Sequence, residues 1–190
     1  MTPSDAEVIA ASCRDPEQFA SLFDRHAPHI HRYLARRVGP QAADDLVAET
    51  FLAAFAQRGR YDPSYDNARP WLYGIATNLL GQFRREEIRR FRLLQVAGSD
   101  PEDLDDYSER TVASLTAQAA RPELAAALAK LSRGNRDVLL LIAWEGLSYE
   151  EVSHALGIPL GTVRSRLHRT RDTLRQSLAH LDYKEILAND

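Results

Sequence analysis

Residues 146–152 read Gly-Leu-Ser-Tyr-Glu-Glu-Val, and residues 156–169 read Leu-Gly-Ile-Pro-Leu-Gly-Thr-Val-Arg-Ser-Arg-Leu-His-Arg. Ser148 and Glu151 stand three apart, the spacing at which a serine caps a helix and a glutamate returns the bond. Val152, Ala155 and Leu156 follow on the inward face of that helix. Gly157 suits the left-handed position that ends a helix, and Ile158 plugs the turn. A second helix starts near Leu160-Gly161-Thr162 and buries Val163, Leu167, Leu174 and Leu178. Ahead of both, the pattern from Gly134 to Trp144 predicts a helix burying Val138, Leu139, Leu141 and Ile142. Helix, short glycine turn, helix is the helix-turn-helix plan, whose second helix enters the DNA major groove.

The exposed side of the last helix fits that use. Arg164, Arg166, Arg169, Arg171, Arg175 and His168 face a single acid, Asp172. Arginine pairs with guanine at two points or neutralises phosphate. An amphipathic helix with a solvated arginine face is the plainer reading of such a run. The capped helix and the glycine turn ahead of it favour DNA.

The rest of the chain sets the context. It has 190 residues, 44% hydrophobic and 27% charged, room for one medium domain or two small ones. Net charge is −3 and the pI is about 6.1, values that taken alone argue against nucleic acid. The acids and bases are segregated, however, so the average hides a basic C-terminal helix. Cys13 is the sole cysteine, which rules out an internal disulfide and suits a reducing compartment. No signal peptide and no membrane-length apolar run is visible, so no membrane insertion and a cytoplasmic location are expected.

The N-terminal half is also helical by pattern. Asp15-Pro16-Glu17-Gln18 reads as a cap with proline at the first helical position, leading to Phe19, Leu22 and Phe23. Pro28 is expected to open a second helix with Ile30, Tyr33, Leu34 and Val38, stopped by Gly39-Pro40. A third, from about Gln41 to Gln57, carries the stripe Leu46, Val47, Thr50, Phe51, Ala54 and Phe55. Residues 58–67 have glycine, proline and two tyrosines without an apolar period, and loops of this length are commonly functional. Pro70 starts a strong helix with Trp71, Leu72, Ile75, Ala76, Leu79, Leu80 and Phe83 on its buried face. It is expected to leave the core in a basic run through Arg84, Arg85, Arg89, Arg90 and Arg92. Composition then shifts: Asp100, Glu102, Asp103, Asp105, Asp106 and Glu109 read as a solvated acidic linker. The expected architecture is all-α: a helical domain over 1–94, a linker over 95–121, and a helix-turn-helix domain over 122–190.

The two C-terminal words quoted first resemble region 4 of sigma factors of the extracytoplasmic-function (ECF) group. Ala43-Asp-Asp-Leu-Val-Ala-Glu-Thr-Phe-Leu-Ala-Ala-Phe55 and Arg69-Pro-Trp-Leu-Tyr-Gly-Ile-Ala-Thr-Asn-Leu-Leu80 resemble two helices of region 2. The resemblance implies that region 2 docks on the clamp helices of the largest RNA polymerase subunit and melts the −10 element. It implies that region 4 reads the −35 element and touches the polymerase flap, and that an anti-sigma factor can be a partner.

On those grounds Asp44, Asp45 and Glu49, turned away from Leu46 and Phe51, are expected at the polymerase; an acidic face of this kind also steers a basic partner. Holding an unpaired base takes polar edges, aromatics and cations. Arg60, Tyr61, Tyr65, Asp66 and Asn67 in the loop supply them, with Arg69, Trp71, Asn78, Arg84 and Arg85 on the following helix. The loop differs from the family pattern in being tyrosine-rich with Pro63, and Trp71 also suits a core position. In the last helix Thr162, Arg164, Ser165 and His168 are expected to face base edges, while Arg166, Arg169 and Arg171 complete the DNA-binding set.

Other chemistry has little support. His26, His29 and His31 lack a ligand set of metal-site type. Glu151-Val-Ser-His154 has the spacing of di-iron bundles but occurs once, where two copies are needed. No catalytic constellation stands out, so neither an enzyme nor a cofactor is expected. Two alternatives are a dimeric helix-turn-helix regulator on a symmetric operator, marked by paired half-sites, and an interaction protein without DNA function, marked by indifference of transcription to loss of the arginines.

Overall fold

The computed structural model describes residues 3–95 and 122–178. The acidic linker predicted over 95–121 and the C-terminal tail lie largely outside those residues. Among the described residues all regular structure is helical: α1 (Asp5–Ser12), α2 (Ala20–Val38), α3 (Pro40–Gln57), α4 (Arg69–Gln95), α5 (Pro122–Ala129), α6 (Arg133–Ala143), α7 (Tyr149–Leu156) and α8 (Leu160–Leu178). Two short 3-10 turns, Pro16–Phe19 and Arg58–Arg60, lead into α2 and out of α3.

The N-terminal bundle packs α2, α3 and α4 around Leu22, Ile30, Leu34, Ala43, Leu46, Phe51, Ala54, Leu72, Ala76 and Leu80. Each buried leucine or isoleucine of such a core contributes on the order of 1.5–3 kcal/mol. Asp15 caps the 3-10 turn as its sequence predicts, accepting from the Glu17 N–H at 3.3 Å. Pro28 does not open a helix, contrary to the sequence reading; it lies inside α2, which is continuous from Ala20 to Val38. The residues before and after it share one buried stripe, Leu22, His26, Ile30, Tyr33 and Leu34. Packing of that stripe outweighs the loss of one backbone donor, and Pro28 itself is exposed.

The C-terminal region follows its sequence closely. Ser148 Oγ accepts from the Glu151 N–H at 3.1 Å, and Glu151 Oε2 accepts from the Ser148 N–H at 2.8 Å. Gly157 ends α7 at φ 60°, ψ 36°, a left-handed conformation that a β-carbon disfavours. Ser153 Oγ donates to the Ile158 carbonyl at 2.6 Å, tying the turn back to α7. Val138, Leu141, Val152, Val163 and Leu167 form the local core.

The two helical regions pack directly against each other, chiefly through α4 and α7. Gly74 permits this approach, since a β-carbon there would collide with the Ala155 carbonyl. At one end of the contact Arg37, 1% exposed, donates to Asp137 at 2.5 Å and to the Tyr33 hydroxyl at 2.5 Å. The Tyr33 and Thr77 hydroxyls are 2.9 Å apart. At the other end the Tyr73 hydroxyl donates to the buried Glu145 carboxylate, and Arg69 donates to the Glu145 carbonyl at 3.1 Å. Burial and the neighbouring Glu145 push the Tyr73 phenol well above its ordinary range, so it stays a protonated donor.

Candidate nucleic-acid interface

The best-formed basic surface lies on α8. Arg164, His168, Arg171 and Arg175 fall at i, i+4, i+7 and i+11, which places them along one stripe, and all four are exposed. Val163, Leu167 and Thr170 point the other way, into the core. Arg169 is exposed beside the stripe, and Thr162 and Ser165 are half-buried at the start of the helix. Ser165 Oγ donates to the Thr162 carbonyl at 3.1 Å. Asp172 tempers the stripe, pairing with His168 at 2.9 Å and Arg175 at 3.5 Å. Arg166 stands apart from the other arginines. Its guanidinium lies over Gly134 of α6, where no side chain intervenes.

The second surface is the loop after α3 with the start of α4. Arg60, Asp66 and Asn67 are exposed. Asn67 Oδ1 accepts from the Arg69 N–H at 3.0 Å and so caps the helix that carries Trp71 and Asn78. Tyr61 is bound into the fold. Its ring meets Trp71 edge-to-face at 5.0 Å, its hydroxyl donates to the Tyr65 carbonyl at 2.6 Å, and burial pushes its pKa up to about 12. Trp71 is half-buried, between core and surface. Trp71, Gly74, Asn78 and His154 line a cleft where α3, α4 and α7 meet. Tyr65 stacks on His154 of α7 at 4.3 Å. In this arrangement α7 overlies part of the surface predicted to take unpaired DNA.

Arg84 and Arg85 separate. Arg85 is exposed, whereas Arg84 turns inward and donates to the Arg37 carbonyl at 3.3 Å. Burial there, with Arg37 and Arg136 nearby, lowers its pKa to about 10. The expectation that the helix leaves the core in a basic run from Arg84 is thus corrected at that residue alone: Arg84 is held against α2, and the run is exposed from Arg85 onward.

The acidic face of α3 is as predicted in placement. Asp44, Asp45 and Glu49 are exposed, and Asp44 pairs with His31 at 3.1 Å. Beside them Leu52, 69% exposed, adds apolar surface that the sequence pattern did not single out, and Phe23, expected on one face with the buried Phe19 and Leu22, is 43% exposed and adds to it. The available signal was that Leu52 falls off the buried stripe of α3. Among the described residues no group of histidine, cysteine and carboxylate side chains could hold a metal, and no helix is long and apolar enough to cross a membrane.

Both helical regions match known families. Residues 22–90 match sigma-70 region 2, and residues 121–174 match sigma-70 region 4. The chain is 35% identical over 175 residues to the RNA polymerase sigma factor CarQ of Myxococcus xanthus, covering 87% of this chain and 92% of that one. It is 34% identical to the ECF RNA polymerase sigma factor SigL of Mycobacterium tuberculosis, covering 93% and 97%. Among solved structures, CnrH bound to the cytosolic domain of CnrY shares the fold at a TM-score of 0.63, with 24% identity over 94% of this chain and 99% of that chain. The chain belongs to the sigma-70 family, in its ECF group. It is a non-enzymatic factor that binds core RNA polymerase and promoter DNA to direct promoter-specific transcription initiation.

Proposed function

We propose that the work of initiation is divided between the two surfaces. The exposed stripe of α8 reads the −35 element in the major groove, with Arg164 and His168, and Thr162 and Ser165 beside them, nearest the bases. Arg169 and Arg171 neutralise phosphate, and Arg166 braces α8 against α6. The loop with Arg60, Asp66 and Asn67, continued by Arg69, Trp71, Asn78 and Arg85, takes the unpaired −10 strand. Asp44, Asp45 and Glu49 dock on the clamp helices of the polymerase, with Leu52 supplying apolar contact. The domains are 1–94 and 122–190, joined by a linker over 95–121, and the factor acts in the cytoplasm. A further partner is an anti-sigma factor. The solved structure of like fold in which the sigma factor RpoE is bound to the anti-sigma factor NepR from Bartonella quintana is what suggests that kind of partner, without identifying it.

The observation that carries this reading is the alignment of Arg164, His168, Arg171 and Arg175 on one exposed stripe of a helix that a capped helix and a left-handed glycine turn set in place. Footprinting of the holoenzyme on a promoter is the test. One copy per promoter, protecting two unlike segments and only with core polymerase present, is the expected result. Tight protection of a symmetric site by a dimer without polymerase would overturn it and favour the operator-binding alternative.

A further inference from the structure

Asp5 is the first residue of α1, yet its carboxylate does not serve its own helix. Ser4 and Glu7 already form a reciprocal cap there, at 3.2 and 2.7 Å. Asp5 is buried, 7% exposed, and its carboxylate is spent on three other donors. Oδ2 accepts from the Ala68 N–H at 2.9 Å and lies 2.7 Å from His26 Nε2. Oδ1 accepts from Arg25 Nη1 at 3.2 Å. The Asp5 backbone N–H donates to the Asp66 carbonyl at 3.1 Å. Asp66 and Ala68 flank Asn67. One residue, 62 positions upstream of Asn67 in the chain, therefore grips the loop backbone on both sides of it.

The grip has an anchor. His26 belongs to the buried stripe of α2, so the carboxylate ties the loop to the bundle core. Elsewhere the loop is held by its own turns, Asp62 Oδ1 accepting from the Ser64 N–H at 3.0 Å and the Tyr65 N–H donating to the Asp62 carbonyl at 3.2 Å, and by the ring contacts of Tyr61 with Trp71 and Tyr65 with His154. Capturing an unpaired base requires polar groups already fixed in place, because a loop that must first be ordered gives up binding energy.

We propose that Asp5 is a positioning residue for strand capture: by holding the Asp66 carbonyl through its N–H and the Ala68 N–H through its carboxylate, it sets Asn67 in the orientation that meets an unpaired −10 base. The inference rests on the reading of the loop as the −10 surface. Burial works to raise the Asp5 pKa, but the bonds from His26 and Ala68, the charge of His26 and the Arg25 bond outweigh it and hold the group below the ordinary aspartate value. The anchor is ionised at neutral pH.

The test uses holoenzyme reconstituted with the full chain and single-stranded DNA carrying the −10 segment of a promoter on which it initiates. Asp5→Ala is expected to weaken strand binding about tenfold, the scale of one charge-assisted hydrogen bond, with core polymerase affinity unchanged. The loss should vanish on a strand made abasic at the captured position and in an Asn67→Ala background. Equal losses on intact and abasic strands, or in the Asn67→Ala background, would show a merely structural role and overturn the proposal, as would no loss at all. If Asn67→Ala alone leaves strand binding unchanged, it is the loop assignment that fails. Should Asp5→Ala not fold, Asp5→Asn, which keeps an acceptor for the Ala68 N–H, is expected to lose about two- to threefold with the same dependence on Asn67. An unaffected Asp5→Asn strand complex would then count against the proposal.

Discussion

Arg164 and Arg166 are two residues apart in sequence and do different work. Arg164 is exposed on the stripe, while Arg166 lies over Gly134. Helical geometry explains the split, because positions two apart point about 200° from each other. Arg164→Ala is therefore predicted to cost about 1–3 kcal/mol of promoter binding and to relax selection at one −35 position. Arg171→Ala, further along the helix, should weaken all sequences alike. Binding measured across a set of −35 variants separates the two, and uniform weakening by Arg164→Ala would remove it from the base edges. At this scale the sequence showed which residue types were available, and that the last helix would present exposed arginines. Asp5, Arg37, Tyr73, Asp137 and Glu145 were not. Their partners lie many residues away, and no local pattern distinguishes a buried ion pair from a solvated charge.

Elements were legible where local chemistry and packing agree. Ser148, Glu151 and Gly157 each do locally what their types suggest, and α7 and its turn form as expected. Agreement of this kind between local preference and final fold is what lets short motifs be read at all. Pro28 shows the limit. Its local preference is to begin a helix, but Leu22 and His26 before it and Ile30, Tyr33 and Leu34 after it share a buried stripe. Tertiary packing decided, and it acts on a register that a single proline does not reveal. Similarly, Arg84 reads as the first residue of an emerging basic run, yet its guanidinium turns back to the Arg37 carbonyl of α2.

The arrangement of the whole molecule was the least legible. Composition suggested two domains and a linker, and gave no sign that α7 would lie on α4. The contact combines a glycine, a buried arginine and a tyrosine–glutamate bond drawn from distant parts of the chain. Its energetics centre on Arg37 and Asp137, whose side chains are 1% and 7% exposed. Removing one partner of a buried pair strands the other charge, at a cost of about 3–5 kcal/mol. Asp137→Ala is thus predicted to loosen the packing of the two regions, seen as a larger distance between labels placed on α3 and α8. Because α7 overlies the Trp71 and Asn78 cleft, binding of the −10 strand should rise with the opening. An unchanged label distance would mean that the rest of the interface suffices to hold the regions together.

The central claim is that this chain gives core RNA polymerase its promoter choice. Its most direct test is transcription from a promoter library with purified core polymerase, with and without the protein. Initiation that depends on the chain is expected, at promoters that share two motifs at −35 and −10. Binding to core with no chain-dependent initiation on any promoter in the library would contradict it.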